Sequence, residues 1–209
     1  MASACPLAPT MADPVRIRPA AATILWRDRP SGPEVLMGQR GAAAVFMPSK
    51  YVFPGGAVDA GDHAKAHLAP SCRARLTAHC PDDAPDPEAL AGCALRELAE
   101  EAGLTLAAAA PLAFIFRAIT PDGSPRRFDA RFFLADAGHV TGANDDFSLA
   151  TDELSHLHWI GLKAARSLDL PFITEVVLSE VAALLAGQAQ PGVPFFDNSG
   201  PMPTFRRLS

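Results

Sequence analysis

Apolar residues in this chain fall into short runs bounded by turn residues, typical of strands, and into longer periodic stretches, typical of helices. The short runs predict strands over Ala20–Arg27, Glu34–Gln39, Tyr51–Phe53, Phe114–Ile119, Phe128–Ala135 and Leu154–Ile160. The longer stretches predict helices over Pro87–Ala102 and Ile173–Ala186, with a shorter helix over Ser71–Cys80. Strands interleaved with helices predict one domain of the α/β or α+β class for a chain of 209 residues.

The helix after Asp86 has the clearest local signals. Asp86 is a favoured N-cap residue, Pro87 suits the first helical position, and Glu88 places a negative charge in the first turn. Good helix formers follow, and Gly103 supplies the stop. This segment is therefore predicted as a helix of about four turns.

The domain prediction follows from where these elements stop. We expect residues 1–14 to form a flexible tail, residues 15–189 the folded domain, and residues 190–209 an extended C-terminal tail. Residues 63–87 are predicted to be an insertion within that domain. Because the insertion is polar and rich in alanine and proline, we expect it to bulge from the surface and to hold no metal.

Charge and cysteine content narrow the class of protein. Asp and Glu outnumber Lys and Arg by 23 to 18, which argues against a nucleic-acid duplex as the partner. The four cysteines form no CxxC pair, which is typical of reduced thiols. No secretory signal and no membrane-spanning apolar stretch is present, so we expect a cytoplasmic protein with no membrane partner. The sequence is compatible with a homodimer and does not specify the oligomeric state.

The candidate chemistry lies near the end of the helix after Asp86. Glu97, Glu100 and Glu101 fall within an arc of about 100° on one helix face, where like charges repel. An ordinary solvated face, with Arg96 paired to Glu100, is one interpretation. The other is a metal site, because a glycine turn follows the third strand and carboxylate oxygens suit Mg²⁺ or Mn²⁺ and a bound phosphate chain.

The segment Arg96–Leu104, with sequence RELAEEAGL, resembles the closing half of the Nudix box, and Phe53-Pro54-Gly55-Gly56 resembles its opening. The resemblance implies an α/β/α sandwich with a mixed central sheet and metal-dependent hydrolysis of a nucleoside diphosphate derivative. It implies that Mg²⁺ or Mn²⁺ is held by Gly55, Glu97, Glu100 and Glu101, and that Arg96 orients Glu97. The implied catalytic residues are Glu97, Glu100, Arg96 and Glu153, the last as a general base or a loop-ordering acid.

The insertion separates the two halves of this box. Counting forward from Gly56 places Asp62 at the first acidic position, whereas counting back from Arg96 places Glu88 there. Helical periodicity puts Glu88 about 180° from Glu97, which favours Glu88 as a helix-start residue and leaves Asp62 as an outer ligand.

A second resemblance concerns the substrate. Arg40 and the segment Phe46-Met47-Pro48 resemble the branch of Nudix hydrolases that cleaves coenzyme A (CoA) and acyl-CoA, although Val45 and Ser49 depart from its signature. We expect Arg40, Phe46 and Met47 to bind substrate.

Strand alternation places Arg127 and Arg131 together on the face opposite Phe128, and these two arginines are further candidates for phosphate contacts. The alternatives are an ADP-ribose or nucleotide-sugar pyrophosphatase and a non-catalytic nucleotide-sensing module with the same fold.

Overall fold

The computed structural model describes residues 15–63, 67–78 and 84–209. The predicted tail over 1–14 and parts of the insertion lie outside the described residues. The strands are β1 (Ile17–Arg27), β2 (Glu34–Arg40), β3 (Tyr51–Val52), β4 (Gly55–Ala57), β5 (His67–Leu68), β6 (Pro111–Ile119), β7 (Arg127–Asp136), β8 (Leu154–Gly161), β9 (Val193–Asp197) and β10 (Thr204–Leu208). The helices are α1 (Pro70–Ala78), α2 (Pro87–Ala102), α3 (Leu162–Ala165) and α4 (Phe172–Leu185).

The sheet is built around the parallel pair of β1 and β7. On the β7 side, β6 pairs antiparallel with β7, β9 runs parallel to β6, and β10 closes that edge. On the other side of β1, its first half pairs with β4 and its last residues with β2. The sheet is therefore mixed, and β4 brings the glycine turn against its central strand.

Helices cover both faces of the sheet. Helix α2 packs on β1, β4 and β7, whereas α4 packs against β6 and α3 against β8. One apolar core, which includes Leu25, Leu98 and Phe133, lies on the α2 side. The other, which includes Ile24 and Val177, lies on the α4 side. The predicted α/β/α sandwich with a mixed sheet is confirmed.

Helix α2 begins and ends where its sequence predicts. The Asp86 carboxylate accepts a hydrogen bond from the Ala89 amide at 2.7 Å, which caps the first turn. Gly103 takes a left-handed φ of 69° at the C-cap. A Cβ at Gly103 would lie 2.8 Å from the backbone nitrogen of Ala150, so glycine also allows the following loop to pack closely.

The described part of the insertion packs into the domain. Leu68, Cys72 and Leu76 are buried in the core on the α2 side, and the Phe114 amide donates to the Cys72 sulfur at 3.2 Å. The expectation that this segment bulges from the surface is therefore wrong for these residues. The apolar positions of a short, weakly amphipathic helix were enough to bury one of its sides.

The C-terminal segment joins the sheet. Residues 190–209 contain β9 and β10, and β9 is buried over Val193–Phe195 beside β6. The segment is extended, and its two strands form one end of the sheet rather than a tail outside the domain. No helix in the described part of the chain is long and apolar enough to cross a membrane.

Candidate active site

An open cleft of about 610 Å³ lies across the sheet. It runs from β4 and α2 at one end, over β1 and β7, to β6 and β9 at the other. Its floor consists of small side chains, Ala20, Ala22, Ala118 and Ala130. Its walls carry aromatic side chains, which are Phe46, Phe53, Phe128, Phe132, Phe172 and Phe196.

The carboxylates of α2 lie at one end of this cleft. Glu97 and Glu100 line it directly. Glu97 and Glu101 are buried, with 8% and 1% of their surface exposed, whereas Glu100 is exposed. A solvated charged face would not bury two of its three acids, so this arrangement favours a functional site.

The glycine turn brings backbone against these acids. The Gly55 amide donates to Glu101 Oε2 at 2.8 Å. A Cβ at Gly55 would lie 2.7 Å from the Ala21 carbonyl, and one at Gly56 would lie 2.2 Å from Glu97 Oε1. Position 55 therefore requires glycine for the close approach of β4 to β1, and a side chain at position 56 would displace the Glu97 carboxylate.

Arg96 connects the carboxylates to the turn. Its Nη1 donates to Glu97 Oε1 at 2.8 Å and to Glu100 Oε2 at 3.1 Å. Its Nη2 donates to the Ala57 carbonyl at 3.1 Å. A guanidinium held in this way fixes the Glu97 side chain by a charge-assisted hydrogen bond.

Of the two candidates for the first acidic position, Asp62 contacts Arg96 and Glu88 does not. Asp62 is buried and accepts two hydrogen bonds from Arg96, from Nε at 2.7 Å and from Nη2 at 3.0 Å. Glu88 instead forms an ion pair with Arg73 of α1. The acid that follows the glycine turn therefore anchors Arg96, and the insertion begins after it.

The pKa values follow from burial. Burial raises the pKa of Glu101 to about 8, against the opposing effect of the Gly55 amide. Burial also raises the pKa of Glu97 above its ordinary value, although Arg96 opposes the shift. Burial alone would raise the pKa of Asp62, but the hydrogen bonds from Arg96 and the Asp59 amide hold it below its usual range.

Glu153 approaches the same end of the cleft from the loop before β8. It is exposed and lines the cleft together with Glu97 and Glu100. Its charge contributes to the raised pKa of Glu97 and Glu101. The loop is tied to α2 by the Thr151 amide, which donates to the Glu100 carbonyl at 2.8 Å.

The loop between β2 and β3 forms one wall of the cleft. Arg40 Nε donates to the Phe46 carbonyl at 3.1 Å, and the Phe46 ring meets Phe128 edge-on at 5.3 Å. Met47 also lines the cleft. Ser49 has a φ of 60°, the left-handed region in which glycine is the least strained residue. The structure thus brings Arg40, Phe46 and Met47 to the carboxylate cleft.

Arg127 and Arg131 are placed elsewhere. Both are buried on the sheet face opposite Phe128 and do not line the cleft. Arg131 Nη1 donates to the backbone carbonyl of Asp129 at 2.8 Å, whereas Arg127 donates to the Thr120 carbonyl at 3.2 Å. Arg127 and Arg131 do share the face opposite Phe128, but the face of β7 that borders the cleft is the one that carries Phe128.

Sequence reasoning did not single out the residues at the far end of the cleft. Arg126, Thr120 and Asn198 line it there, together with Phe172 at the start of α4. For Arg126 a signal was present, since it has the same parity as Phe128 and strand alternation puts both on one face. For Asn198 and Phe172 the chain carries no local signal.

The donor chemistry of the carboxylate end fits a divalent cation. Glu101 Oε1 is buried and has no hydrogen-bond partner among the described residues. The pKa values of Glu97 and Glu101 are raised because burial makes their negative charge unfavourable. A bound cation would offset that cost. In the observed arrangement Arg96 and the Gly55 amide engage these carboxylates, and within residues 15–63, 67–78 and 84–209 no group of three or more His, Cys, Asp or Glu side chains is placed to hold a metal.

Solved structures provide the comparison with known proteins. A Nudix hydrolase from Alicyclobacillus acidocaldarius is similar over 82% of this chain and 92% of its own, with 28% identity and a TM-score of 0.61. The Nudix hydrolase RenU from M. smegmatis is similar over 83% of this chain and 88% of its own, with 18% identity and a TM-score of 0.52. The Nudix domain of Shewanella oneidensis NrtR, complexed with ADP ribose, is similar over 81% of this chain and 89% of its own, with 13% identity and a TM-score of 0.51.

No family model matches the chain, and no curated protein matches it. The two more distant structures agree with this chain in fold alone. Nudix hydrolases generally use divalent metals, which agrees with the donor chemistry above. The chain thus has the fold of the Nudix hydrolases, and its carboxylate helix together with the similarity to the Alicyclobacillus enzyme supports Nudix-type pyrophosphohydrolase activity.

Proposed function

We propose that this enzyme hydrolyses the diphosphate linkage of a nucleoside diphosphate derivative, with CoA or acyl-CoA as the leading substrate. The observation that carries the proposal is that Glu97, Glu100 and Glu153 face the same cleft as the aromatic rings of Phe46 and Phe128. An acidic end suits a cation-bound diphosphate, and an aromatic wall suits a base or an apolar arm.

Glu97, Glu100 and Glu101 are the proposed ligands of Mg²⁺ or Mn²⁺, with the Gly55 carbonyl beside them. When bound, such a cation screens the phosphate charge, polarises the phosphoryl oxygen and lowers the pKa of the attacking water. Arg96 is a positioning residue, because it donates to Glu97 and Glu100 while Asp62 holds its other edge.

Glu153 is the proposed general base. Its carboxylate is exposed at the cleft and is free to accept a proton from the water that attacks phosphorus. Glu97 is less suited to this role because Arg96 already donates to its Oε1. Removal of Glu153 should therefore lower turnover while metal binding persists.

The dimensions of the cleft support a long substrate. From β4 to β9 it crosses four strand spacings of ~4.8 Å, which gives a length of about 19 Å. The alanine floor leaves depth along this path, and the Arg40 loop with Phe46 and Met47 forms one of its walls. A nucleoside diphosphate joined to a second group fills such a groove better than a mononucleotide does.

The test is turnover of CoA, an acyl-CoA, ADP-ribose and NADH with Mg²⁺ or Mn²⁺, followed by chromatography of the two phosphorylated products. We expect the highest kcat/KM for CoA or acyl-CoA. Cleavage of ADP-ribose without cleavage of CoA would move the assignment to an ADP-ribose or nucleotide-sugar pyrophosphatase. Binding of these compounds without any turnover would indicate a nucleotide-sensing module.

A further inference from the structure

Three hydrogen-bond donors meet at the end of the cleft that is farthest from the carboxylates. Thr120 follows β6, Asn198 follows β9, and Arg126 precedes β7. All three line the cleft. No residue of this group belongs to the carboxylate network around Arg96, and the proposed hydrolysis leaves the group without a role.

Strand register explains why these residues are neighbours. Ala118 pairs with Phe196 in the parallel ladder of β6 and β9, so Thr120 and Asn198, two residues further along, continue the same face side by side. The Phe128 amide donates to Thr120 Oγ1 at 3.0 Å, which ties the start of β7 to the end of β6. Arg126, two residues before Phe128, lies on that same face.

The side chains of Arg126, Asn198 and Thr120 donate to no acceptor within the described part of the chain. Neither Arg126 nor Asn198 makes a side-chain hydrogen bond or an ion pair with any residue that the structure describes. Thr120 Oγ1 accepts one hydrogen bond from the Phe128 amide, and its hydroxyl proton stays available to a ligand.

The other arginines of the cleft differ in this respect. Arg96 is bonded to Asp62 and Glu97, Arg40 donates to the Phe46 carbonyl, and Arg18 lies 3.8 Å from Asp59. Among the cleft-lining arginines of the described chain, Arg126 is thus the one whose guanidinium makes neither a hydrogen bond nor an ion pair.

Acidic side chains near this end point away from the cleft. Asp122 forms an ion pair with Arg127 at 3.2 Å, and Asp197 accepts a hydrogen bond from the Ser199 hydroxyl at 2.6 Å. Neither lines the cleft. The first turn of α4, at Phe172–Thr174, borders the same space and adds the partial positive charge of a helix N-terminus.

We propose that Arg126, with Thr120 and Asn198, binds a phosphate group that the substrate carries in addition to its diphosphate. The planar guanidinium donates two parallel hydrogen bonds to a phosphate, while a hydroxyl and a carboxamide satisfy its other oxygens. This inference rests on the proposed function for its substrate class. It assigns specificity to Arg126, not to the buried Arg127 and Arg131.

The binding experiment needs no turnover. Dissociation constants are measured in EDTA for adenosine 3′,5′-bisphosphate and for AMP, with the wild type, Arg126→Ala and Arg126→Lys. We expect the wild type to bind the bisphosphate about tenfold more tightly, and Arg126→Ala to lose that preference. Arg126→Lys should keep part of it, because it keeps the charge and loses the planar fork.

The kinetic experiment compares CoA with dephospho-CoA, and NADPH with NADH, which place the extra phosphate at different ribose positions. In one of these two pairs, Arg126→Ala should lower kcat/KM for the compound with the extra phosphate about tenfold more than for the compound without it. Arg16→Ala removes the same charge from an exposed position outside the cleft and serves as the control. Asn198→Ala should give a smaller loss with the same selectivity.

The outcomes separate the two proposals. Equal binding of bisphosphate and AMP by the wild type, or an undiminished preference in Arg126→Ala, overturns this inference even if CoA is cleaved. An Arg126-dependent preference for the bisphosphate supports it even if no diphosphate is hydrolysed, in which case the proposed function falls. A loss of the preference in Arg16→Ala as large as in Arg126→Ala would reveal a general charge effect and overturn it as well.

Discussion

Two half-buried arginine–aspartate pairs of this molecule have nearly the same geometry and different consequences. Arg96 donates to both oxygens of Asp62 at 2.7 and 3.0 Å, and Arg117 donates to both oxygens of Asp129 at 2.8 and 2.7 Å. The Arg96 pair lies at the cleft and its guanidinium also reaches Glu97. The Asp129 pair lies on the other sheet face.

The second pair serves the fold. The Asp129 carboxylate also forms an ion pair with Arg131 at 2.9 Å, and the Arg117 guanidinium lies 4.4 Å from the centre of the Phe195 ring. This cluster therefore joins β6, β7 and β9. In both pairs the bidentate contact fixes the guanidinium. Only its position relative to the cleft determines whether the arginine can orient a residue of the proposed metal site.

The largest expected effect is that of Glu97→Gln on turnover. The change removes one carboxylate charge from the proposed metal site, and we expect kcat/KM to fall about 10³-fold. The metal-free variant should melt no lower than the wild type, because a neutral amide removes the cost of burying a charge and relieves the repulsion from Glu100 and Glu153. Turnover and melting temperature are measured together.

Glu88→Gln is the matched control for that variant. It makes the same change on the same helix, at a residue that pairs with Arg73 outside the cleft. It should leave kcat/KM within about twofold, since exposed ion pairs are weak. If metal-free Glu97→Gln is unfolded at ambient temperature, Glu97 has a structural role, and this contradicts its proposed role as a metal ligand.

Asp129→Asn tests the other pair. The variant leaves Arg117 and Arg131 without a shared carboxylate, and we expect the free energy of unfolding to fall by about 3 kcal/mol. Urea denaturation measures this loss. At a temperature where the variant stays folded, kcat/KM should change less than about threefold. A loss of turnover comparable to that of Glu97→Gln would erase the distinction between the two pairs.

Asp62→Asn sharpens the comparison, because it weakens the support of Arg96 without changing a proposed ligand. We expect kcat/KM to fall about 10- to 100-fold, as for other residues that orient a ligand. The loss should appear mainly as a higher requirement for Mg²⁺, which a metal titration of the initial rate measures. If Asp62→Asn and Glu88→Gln behave alike, Asp62 does not fill the first acidic position of the box.

Local signals explain which parts were predictable from the sequence. The bounds of α2 follow from Asp86 and Gly103, whose effects are confined to the helix ends. The clustering of Glu97, Glu100 and Glu101 on one face follows from helical periodicity alone. The alternation of Arg127 and Phe128 also follows from geometry, because the side-chain period of a strand is two residues.

Tertiary contacts decide what the sequence left open. Alternation cannot say which face of β7 borders the cleft, and that choice separates Arg126 from Arg127. The choice between Asp62 and Glu88 depends on how β4 packs against α2. Burial of Cys72 against β6 depends on a contact far along the chain, which no local pattern in the insertion specifies.

The smallest expected effect is the pH dependence of the metal-free protein. Burial raises the pKa of Glu101 to about 8 from an ordinary value of 4.5. Between these values the folded chain holds a proton that the unfolded chain has lost, so its stability is highest below about pH 4.5 and falls as pH rises toward 8. We expect the melting temperature in EDTA to drop by at least ~3 °C across this range. Glu101→Gln should remove most of that slope, and saturating Mg²⁺ should reverse it in the wild type. A slope that is the same in wild type and variant would assign the pH dependence to groups other than Glu101.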